Sequence, residues 1–159
     1  MNYLDTDIRY CKGIGEKKAQ LFNKLGVINV RDLVSYFPRK YEDRSSFKPI
    51  ALTCDGETVC INALAAEDAR LVRIRRGLEL VKFRVVDESG SVDITFFNQP
   101  YIKNNIHRGD SLNIYGKIIG VGGKRTMTNP VIEREGTVGG VTGRIVPVYR
   151  LTTGLSQKL

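Results

Sequence analysis

The chain has 159 residues, 42% of them hydrophobic, and carries a formal net charge of +8. This length suits one domain, or a small domain with an appendage, and the hydrophobic content is sufficient for a packed core. Because no apolar run approaches the roughly 20 residues needed to span a bilayer, we expect no membrane-spanning segment. The first residues are polar and lack the apolar segment of a secretory signal, which favours a cytoplasmic protein.

The basic surplus is concentrated in the second part of the sequence. Residues 1–60 hold 10 basic and 8 acidic side chains, whereas residues 61–159 hold 15 and 9. Such a surplus is typical of nucleic-acid-binding proteins, although other anionic partners or a membrane surface would also satisfy it. The densest group lies within a predicted hairpin in which only Glu79 is acidic: Arg70, Arg73, Arg75, Arg76, Lys82 and Arg84.

Residues 1–45 are predicted to form a small helical subdomain. The segment 15–26, GEKKAQLFNKLG, has apolar residues at helical spacing, and Gly26 is suited to end the helix. The segment 29–38, NVRDLVSYFP, begins with Asn29 as a helix cap and ends at a proline. The apolar side predicted for this second helix comprises Val30, Leu33, Val34 and Phe37.

The stretch KGIGEKKA, residues 12–19, has the spacing of the turn in a helix-hairpin-helix motif. Gly13 and Gly15 would let the backbone approach a phosphate, and the N-terminus of the following helix would offer free N–H groups to it. Lys17 would add positive charge. The alternative is a tight turn that packs the helical subdomain, and the presence of only one such hairpin favours this alternative.

After a polar linker over residues 46–57, the apolar pattern changes to a period of two, which is typical of strands. A short helix is predicted from Pro100 to Ile106. The fold class is mainly β with a small helical N-terminal part. Five strands with a helix between the third and fourth indicate a Greek-key OB-fold barrel over residues 58–140, whereas an SH3-like barrel lacks that helix. The predicted strands are ETVCINALA (57–65), LELVKFRVVD (78–87), VDITFFN (92–98), DSLNIYGKIIG (110–120) and TMTNPVIERE (126–135), the last interrupted by Pro130.

No catalytic or metal-binding constellation is visible in the sequence. Cys11, Cys54 and Cys60 lack the paired spacing of a metal site, so we interpret them as ordinary thiols of a reducing compartment. His107 has no second histidine and is expected at the surface or in a cap. Because no serine stands in a nucleophile-elbow context either, we expect neither enzyme activity nor a cofactor in this chain alone.

The glycine-rich stretch GVGGKR, residues 120–125, is not a nucleotide-binding loop. It lacks both the required glycine spacing and the Ser or Thr that would hold Mg²⁺. In an OB fold the loop between strands four and five borders the ligand face. Lys124 and Arg125 are therefore candidate phosphate contacts, with a solvated hairpin tip as the alternative.

The end of the third predicted strand carries an aromatic residue on the side opposite its core. Val92, Ile94 and Phe96 alternate onto one face, so Phe97 points away from it, and Tyr101 follows four residues later. Two interpretations remain open. Phe97 packs against the N-terminal helices while Tyr101 covers the barrel end, or the two rings form a platform on which unpaired bases stack. One further basic residue follows nearby as a candidate DNA contact: Lys103.

Four stretches follow one another in an order that is characteristic of a known family: GIGEKKAQLFNKLGVINVRDLVSYFPRKYEDRS (13–45), FRVVDESGSVDITFFNQPYI (83–102), YGKI (115–118) and VPVYRLTTGLSQK (146–158). Together they resemble the N-terminal region of the RecG family of bacterial ATP-dependent DNA helicases. The most specific pieces are the connector FPRKYEDRS, the strand end FFN and the tail PVYRLTTGLSQK. The resemblance covers essentially the whole chain.

The resemblance implies that the OB-fold unit is a wedge domain at the branch point of stalled replication forks and Holliday junctions. Two motor domains C-terminal to the wedge would hydrolyse ATP, with Mg²⁺, and pull duplex arms past it. The family pattern Phe-Asn-x-x-Tyr falls on Phe97, Asn98 and Tyr101, which implies that the two rings stack on exposed parental bases. Because the motor motifs are absent, residues 141–159 would begin a linker or helix toward those motors, and branched DNA and the motors are the implied partners.

Two other functions remain open on the sequence alone. A general OB-fold module for single-stranded DNA or RNA would be indifferent to branching, and the helical prefix weighs against it. A structural adaptor would instead bury Phe97 against protein. The absence of a coiled-coil repeat favours a monomer.

Overall fold

The computed structural model describes residues 2–137, 140 and 142–155. The chain forms two compact units, the first made of Met1–Glu42 with Val146–Leu159 and the second of Asp43–Ile145. Within the described part, every helix is too short or too polar to pass through a bilayer. The described residues form nine strands: β1 (Lys40–Asp43), β2 (Thr58–Ala65), β3 (Arg70–Arg75), β4 (Leu78–Val86), β5 (Ser91–Phe97), β6 (Ser111–Ile119), β7 (Thr126–Thr128), β8 (Val131–Arg134) and β9 (Ile145–Val148).

Short helices are the main secondary structure of the first unit. Two 3₁₀ turns precede α1 (Glu16–Asn23) and α2 (Val30–Val34). A capping box starts α2, because Asn29 Oδ1 accepts from the Asp32 N–H at 2.9 Å while Asp32 Oδ2 accepts from the Asn29 N–H at 3.2 Å. The small core of this unit consists of three buried residues: Ile8, Ala19 and Val27.

The apolar side predicted for α2 is only half correct. Val30 is buried and Leu33 packs against the small core, but Val34 is 64% exposed and Phe37 is 81% exposed. For Phe37 the reason is length: α2 has five residues and leaves the helical conformation at Ser35, so the 3.6-residue period no longer applies at residue 37. Phe37 therefore projects into solvent. The exposure of Val34, the last residue of α2, has no such explanation.

A two-stranded sheet joins β1 and β9, which the sequence interpretation did not contain. The backbone N–H of Arg39 donates to Val148 O at 2.7 Å, and that of Arg44 donates to Arg144 O at 3.0 Å. The linker or helix predicted over 141–159 is thus corrected in its described part, which contains a strand. The remainder of that prediction, at 141 and 156–159, lies outside the described residues.

The second unit is a seven-stranded sheet whose pairings return to their starting strand. β2 pairs with β4, β4 with β5, β5 with β7, β7 with β6, and β6 again with β2. Only β5 and β7 are parallel among these pairs. β3 extends β4 as the predicted basic hairpin, and β8 pairs with β6. The expectation of a mainly β chain with few helices is confirmed.

Alternation along these strands builds the core of the second unit. Every second residue of β5 is buried, beginning with Val92, and the partner strand β4 contributes Val81, Phe83 and Val85. The ring of Phe83 lies parallel to that of Phe96, with centroids 6.4 Å apart. The inward-facing side chains of these strands thereby form the core of the second unit.

Three predicted segments differ in the structure. The 46–57 linker includes a 3₁₀ turn, Ile50–Leu52, whose first residue is fully buried in the core of the second unit. The helix predicted over 100–106 is a 3₁₀ helix, Pro100–Asn104. The fifth predicted strand is divided into β7 and β8, because Pro130 lacks the N–H that a continuous ladder needs.

Candidate nucleic-acid interface

The end of β5 presents an aromatic ring to solvent. Ile94 and Phe96 are buried, whereas Phe97 is 41% exposed, as the alternation predicts. Tyr101, in the following 3₁₀ helix, is 62% exposed, and its hydroxyl donates to Gln99 Oε1 at 2.9 Å. Within the described residues neither ring stacks on another aromatic ring. Neither the ring of Phe97 nor that of Tyr101 is therefore covered by another aromatic ring of the described residues.

Asn98 fixes the strand end through its backbone and side chain. Its φ of 52° turns the chain away from β5. Its N–H donates to Glu79 O at 2.8 Å, while its side-chain Oδ1 accepts from the Glu79 N–H at 3.0 Å. The carboxamide oxygen is thus engaged within the protein, and the predicted DNA contact of Asn98 stays a prediction for its amide nitrogen alone.

The register of the sheet places two rows of side chains next to each other on its outer face. Cross-strand partners point to the same side of a sheet, so Phe97 shares a row with Leu80 and Val72. The next row lies two residues along each strand, which is roughly 7 Å away. That second row contains Arg70, Lys82, Thr95 and Thr128.

The predicted cations of the hairpin differ in their engagement. Because an exposed ion pair contributes only about 0–1 kcal/mol, a phosphate can replace a carboxylate in it. Three arginines form such pairs: Arg70 with Glu67 at 3.1 Å, Arg73 with Glu79 at 2.8 Å and Arg84 with Asp93 at 2.7 Å. Three other exposed cations have no ion pair among the described residues: Arg75, Arg76 and Lys82.

The pair of Arg84 and Asp93 is the firmest of these contacts. The guanidinium donates twice, at 2.7 Å from Nε and 3.1 Å from Nη2. The hydrogen bond to Asp93 raises the pKa of Arg84 above its ordinary value. This bidentate pair neutralises one cation of the outer face. Lys82, two residues before Arg84 on the same face of β4, has no ion pair among the described residues.

The loop after β6 places two adjacent predicted phosphate contacts, Lys124 and Arg125, in different environments. Lys124 is exposed, whereas Arg125 is only 9% exposed. The Arg125 guanidinium donates to Gly122 O at 2.9 Å and to Ala51 O at 3.0 Å. The prediction for Arg125 is therefore wrong, because its donors are directed inward at backbone carbonyls. Lys103 lies exposed in the 3₁₀ helix that carries Tyr101.

The glycine turn of the first unit has the conformation that its sequence requires. Gly13 has a φ of 88°, and Gly15 caps α1 with no side-chain bond. A Cβ added at either glycine would meet nothing within 4 Å, and Lys17 is exposed. The Nζ of Lys18 donates to Gly13 O at 3.2 Å. The phosphate contact assigned to this turn stays a prediction.

The titratable residues offer no grouped ligands for a metal ion. Within the described ranges, no three His, Cys, Asp or Glu residues are close enough together to hold one. His107 is at the surface, with Nδ1 3.9 Å from Asp110 Oδ2. Burial raises the pKa of the Cys60 thiol, which keeps it protonated and unreactive at neutral pH.

Comparison with known proteins identifies the family. The family model of the RecG wedge domain matches residues 7–159. The ATP-dependent DNA helicase RecG of Thermotoga maritima is 30% identical over 98% of this chain, and that of Streptococcus pneumoniae is 30% identical over 97%. The matched region is 20% and 22% of the length of these relatives. A solved structure described as RecG bound to a three-way DNA junction superposes with a TM-score of 0.83 at 29% identity, covering 99% of this chain and 22% of the other. The chain therefore belongs to the RecG wedge domain family.

Proposed function

We propose that this chain binds branched DNA and splits its strands at the branch point, at stalled replication forks and Holliday junctions, during fork regression in recombination and repair. The similar RecG structure is described as bound to a three-way DNA junction. Membership of the wedge family and the closeness of the two folds support the same ligand class for this chain.

The observation that carries the proposal is the exposed ring of Phe97 at the end of a strand whose other apolar residues are buried. A half-exposed ring offers apolar area that a ligand can cover. A base that has lost its duplex partner gains about 1–3 kcal/mol by stacking on such a ring, whatever its identity. Tyr101 provides a second exposed ring four residues further on.

The cations beside the rings support an anionic ligand. Lys82 lies in the row adjacent to Phe97, and Arg75 and Arg76 occupy the tip of the same hairpin. Contacts of this kind hold phosphates without reading sequence, and they make affinity fall as salt rises. The arrangement suits a base stacked on Phe97 and a phosphate beside Lys82 in the adjacent row.

The ring of strand pairings supports the rigidity that a wedge needs. We take β2, β4, β5, β7 and β6 to be the five-stranded OB-fold barrel. Along the chain, the 3₁₀ helix Pro100–Asn104 lies between β5 and β6, the third and fourth of these strands in sequence. A closed barrel has no unpaired edge strand, which makes it rigid.

The whole-protein activity belongs to this proposal as well. Because the chain spans about one fifth of its helicase relatives, the parent would be an ATP-dependent DNA helicase. Its motor domains, outside this chain, would bind ATP and Mg²⁺. We infer a monomer that acts in the bacterial cytoplasm, with the motors and branched DNA as its partners.

The test is a salt titration that compares binding to a three-way fork, linear duplex and single strand. The full chain should prefer the fork at every salt concentration. Phe97→Ala should reduce the fork preference by about 5- to 150-fold, the equivalent of one stacked base. Phe37→Ala, which removes a more exposed ring of the first unit, is the matched control and should leave the preference unchanged.

Three results would separate the alternatives. Equal affinity for fork and single strand would indicate a general single-strand module. Absence of salt-dependent binding to any DNA would indicate a structural adaptor. A Phe97→Ala variant with the wild-type ratio of fork to linear binding would exclude the stacking role.

A further inference from the structure

Asn129 touches the backbone of Phe97 although the two residues are far apart in the sequence. Its side-chain Oδ1 accepts from the Phe97 N–H at 2.9 Å, and its own N–H donates to Thr95 O at 2.8 Å. Asn129 has a φ of 47°, one of two positive values among the described non-glycine residues. The other is Asn98, the next residue after Phe97.

The left-handed conformation explains why a side chain makes this bond. The parallel pairing of β5 and β7 ends at Thr95 and Thr128, and the chain then turns off the sheet toward Pro130. A strand that continued would offer a backbone carbonyl to the next N–H of β5. Because the backbone leaves at Asn129, its carboxamide oxygen takes the place of that carbonyl, as Asn can do in a left-handed turn.

The turn itself is held by close packing. Pro130 is buried, and a Cβ added to Gly116 of β6 would stand 2.9 Å from Pro130 Cβ and 3.3 Å from its Cα. Only glycine at that position leaves room for the proline ring. The residue that follows Asn129 is thus packed closely against β6.

Two asparagines therefore clamp one exposed aromatic residue. Asn98, the residue after Phe97, is hydrogen-bonded to Glu79 of β4. Asn129 accepts a hydrogen bond from the N–H of Phe97 itself. The direction of a side chain follows from its backbone N, Cα and C atoms together with its rotamer. A ring whose backbone is held on both sides loses less freedom when a ligand covers it.

We propose that Asn129 is a positioning residue for the Phe97 ring, through the hydrogen bond from its carboxamide oxygen to the Phe97 N–H. The inference rests on the proposed stacking function of Phe97. Asn129 needs no contact with DNA for this role. Its loss should reduce the preference for forks over linear duplex, without reducing the affinity for linear duplex.

The test compares substitutions at residue 129 in the full chain. Asn129→Gly keeps the left-handed backbone but removes the oxygen, and Asn129→Ser has too short a side chain to reach Phe97. Asn129→Asp keeps both the oxygen and the tolerance for positive φ. The two readouts are hydrogen exchange at the Phe97 amide and the ratio of fork to duplex affinity, in which a general effect of the added Asp charge cancels.

We expect faster exchange at the Phe97 amide in Asn129→Gly and Asn129→Ser, with about a fivefold lower ratio, as for one net hydrogen bond. Asn129→Asp should restore both. If exchange becomes faster while the ratio stays at the wild-type value, or if exchange does not change, the positioning role is wrong. Should Asn129→Ser fail to fold, because serine tolerates a positive φ less well than glycine, Asn129→Gly decides the question.

Failure of the wider proposal looks different. If the wild-type chain shows no fork preference, or if Phe97→Ala retains it, the stacking function is wrong. The exchange measurement then still shows whether Asn129 holds the Phe97 backbone.

Discussion

The end of β5 and the loop 120–125 are both predicted ligand-binding regions, but they are anchored by different chemistry. Neutral carboxamides hold the strand end, through Asn98 and Asn129. Ionised side chains hold the loop: Asp55 Oδ1 accepts from the Gly120 N–H at 2.7 Å, and Arg125 donates to two carbonyls.

The loop anchor extends into a second charged group. The carbonyl that Arg125 binds belongs to Ala51, in the 3₁₀ turn whose first N–H, that of Ile50, donates to Asp87 Oδ2 at 2.8 Å. Asp87 Oδ1 also accepts from Ser89 and from the residue after it. Burial raises the pKa of Asp87, but these hydrogen bonds outweigh it and hold the pKa below its ordinary value.

This difference suits the two tasks. A carboxamide does not titrate, so it keeps its hydrogen bonds at any pH. Because it carries no net charge, nearby phosphates do not repel it. The ring of Phe97 is therefore held by contacts that a polyanionic ligand does not perturb. The extended anchor of the loop includes Asp87, whose hydrogen bonds need its ionised form, so this region is the more sensitive to acid.

The largest effect is expected from the packing that supports the strand end. Gly116→Ala should destabilise the chain by about 3 kcal/mol, the upper part of the range for overpacking, because the new methyl group meets Pro130 at 2.9 Å. Thermal or denaturant unfolding measures this loss. The control is Gly123→Ala in the loop, where an added Cβ meets nothing within 4 Å, and a loss of similar size there would contradict the explanation.

A smaller effect is expected from the buried anchor of the loop. Arg125→Ala removes two hydrogen bonds from a charged donor and should lower the free energy of unfolding by about 2 kcal/mol. The Nε of Arg125 has no partner in the described residues, which limits the net gain from the native side chain. Lys124→Ala, one residue away and exposed, should change stability by less than about 0.5 kcal/mol.

The two loop variants also differ in DNA binding. Lys124→Ala should weaken binding to all DNAs alike and reduce the salt slope by about 1, as for a lost phosphate contact. An Arg125→Ala variant as stable as the wild type, with a reduced salt slope, would restore the role that the sequence suggested for Arg125.

Sequence patterns predicted features that depend on neighbours in the chain. The period-two alternation of β5 was sufficient to point Phe97 outward. Local periodicity reports which face a residue occupies, because the geometry of a strand is the same everywhere. The mainly β class follows from the same signal.

Features that depend on distant partners could not be read in this way. Lys124 and Arg125 are adjacent and equally basic, and one of the two carbonyls that hold Arg125 inward, that of Ala51, lies 74 residues away. The carboxamide of Asn129 meets Phe97 across 32 residues. An Asn before a proline is commonly a simple turn residue, so nothing in its own surroundings indicated this bond.

The smallest effect, and the sharpest contrast between the two regions, concerns pH. The lowered pKa of Asp87 means that its hydrogen bonds are complete above the ordinary carboxyl value of 3.8 and are lost as pH falls through the folded-state pKa. Hydrogen-exchange protection at Ile50, whose N–H donates to this carboxylate, should therefore fall as the pH drops below 3.8, relative to protection at Phe97, whose partner is neutral. Asp87→Asn should remove that difference, whereas Glu88→Gln in the same turn should preserve it, because no hydrogen bond to Glu88 is present among the described residues. Equal loss of protection at both amides in the wild type would mean that the two regions open together, and that the chemistry of their anchors does not separate them.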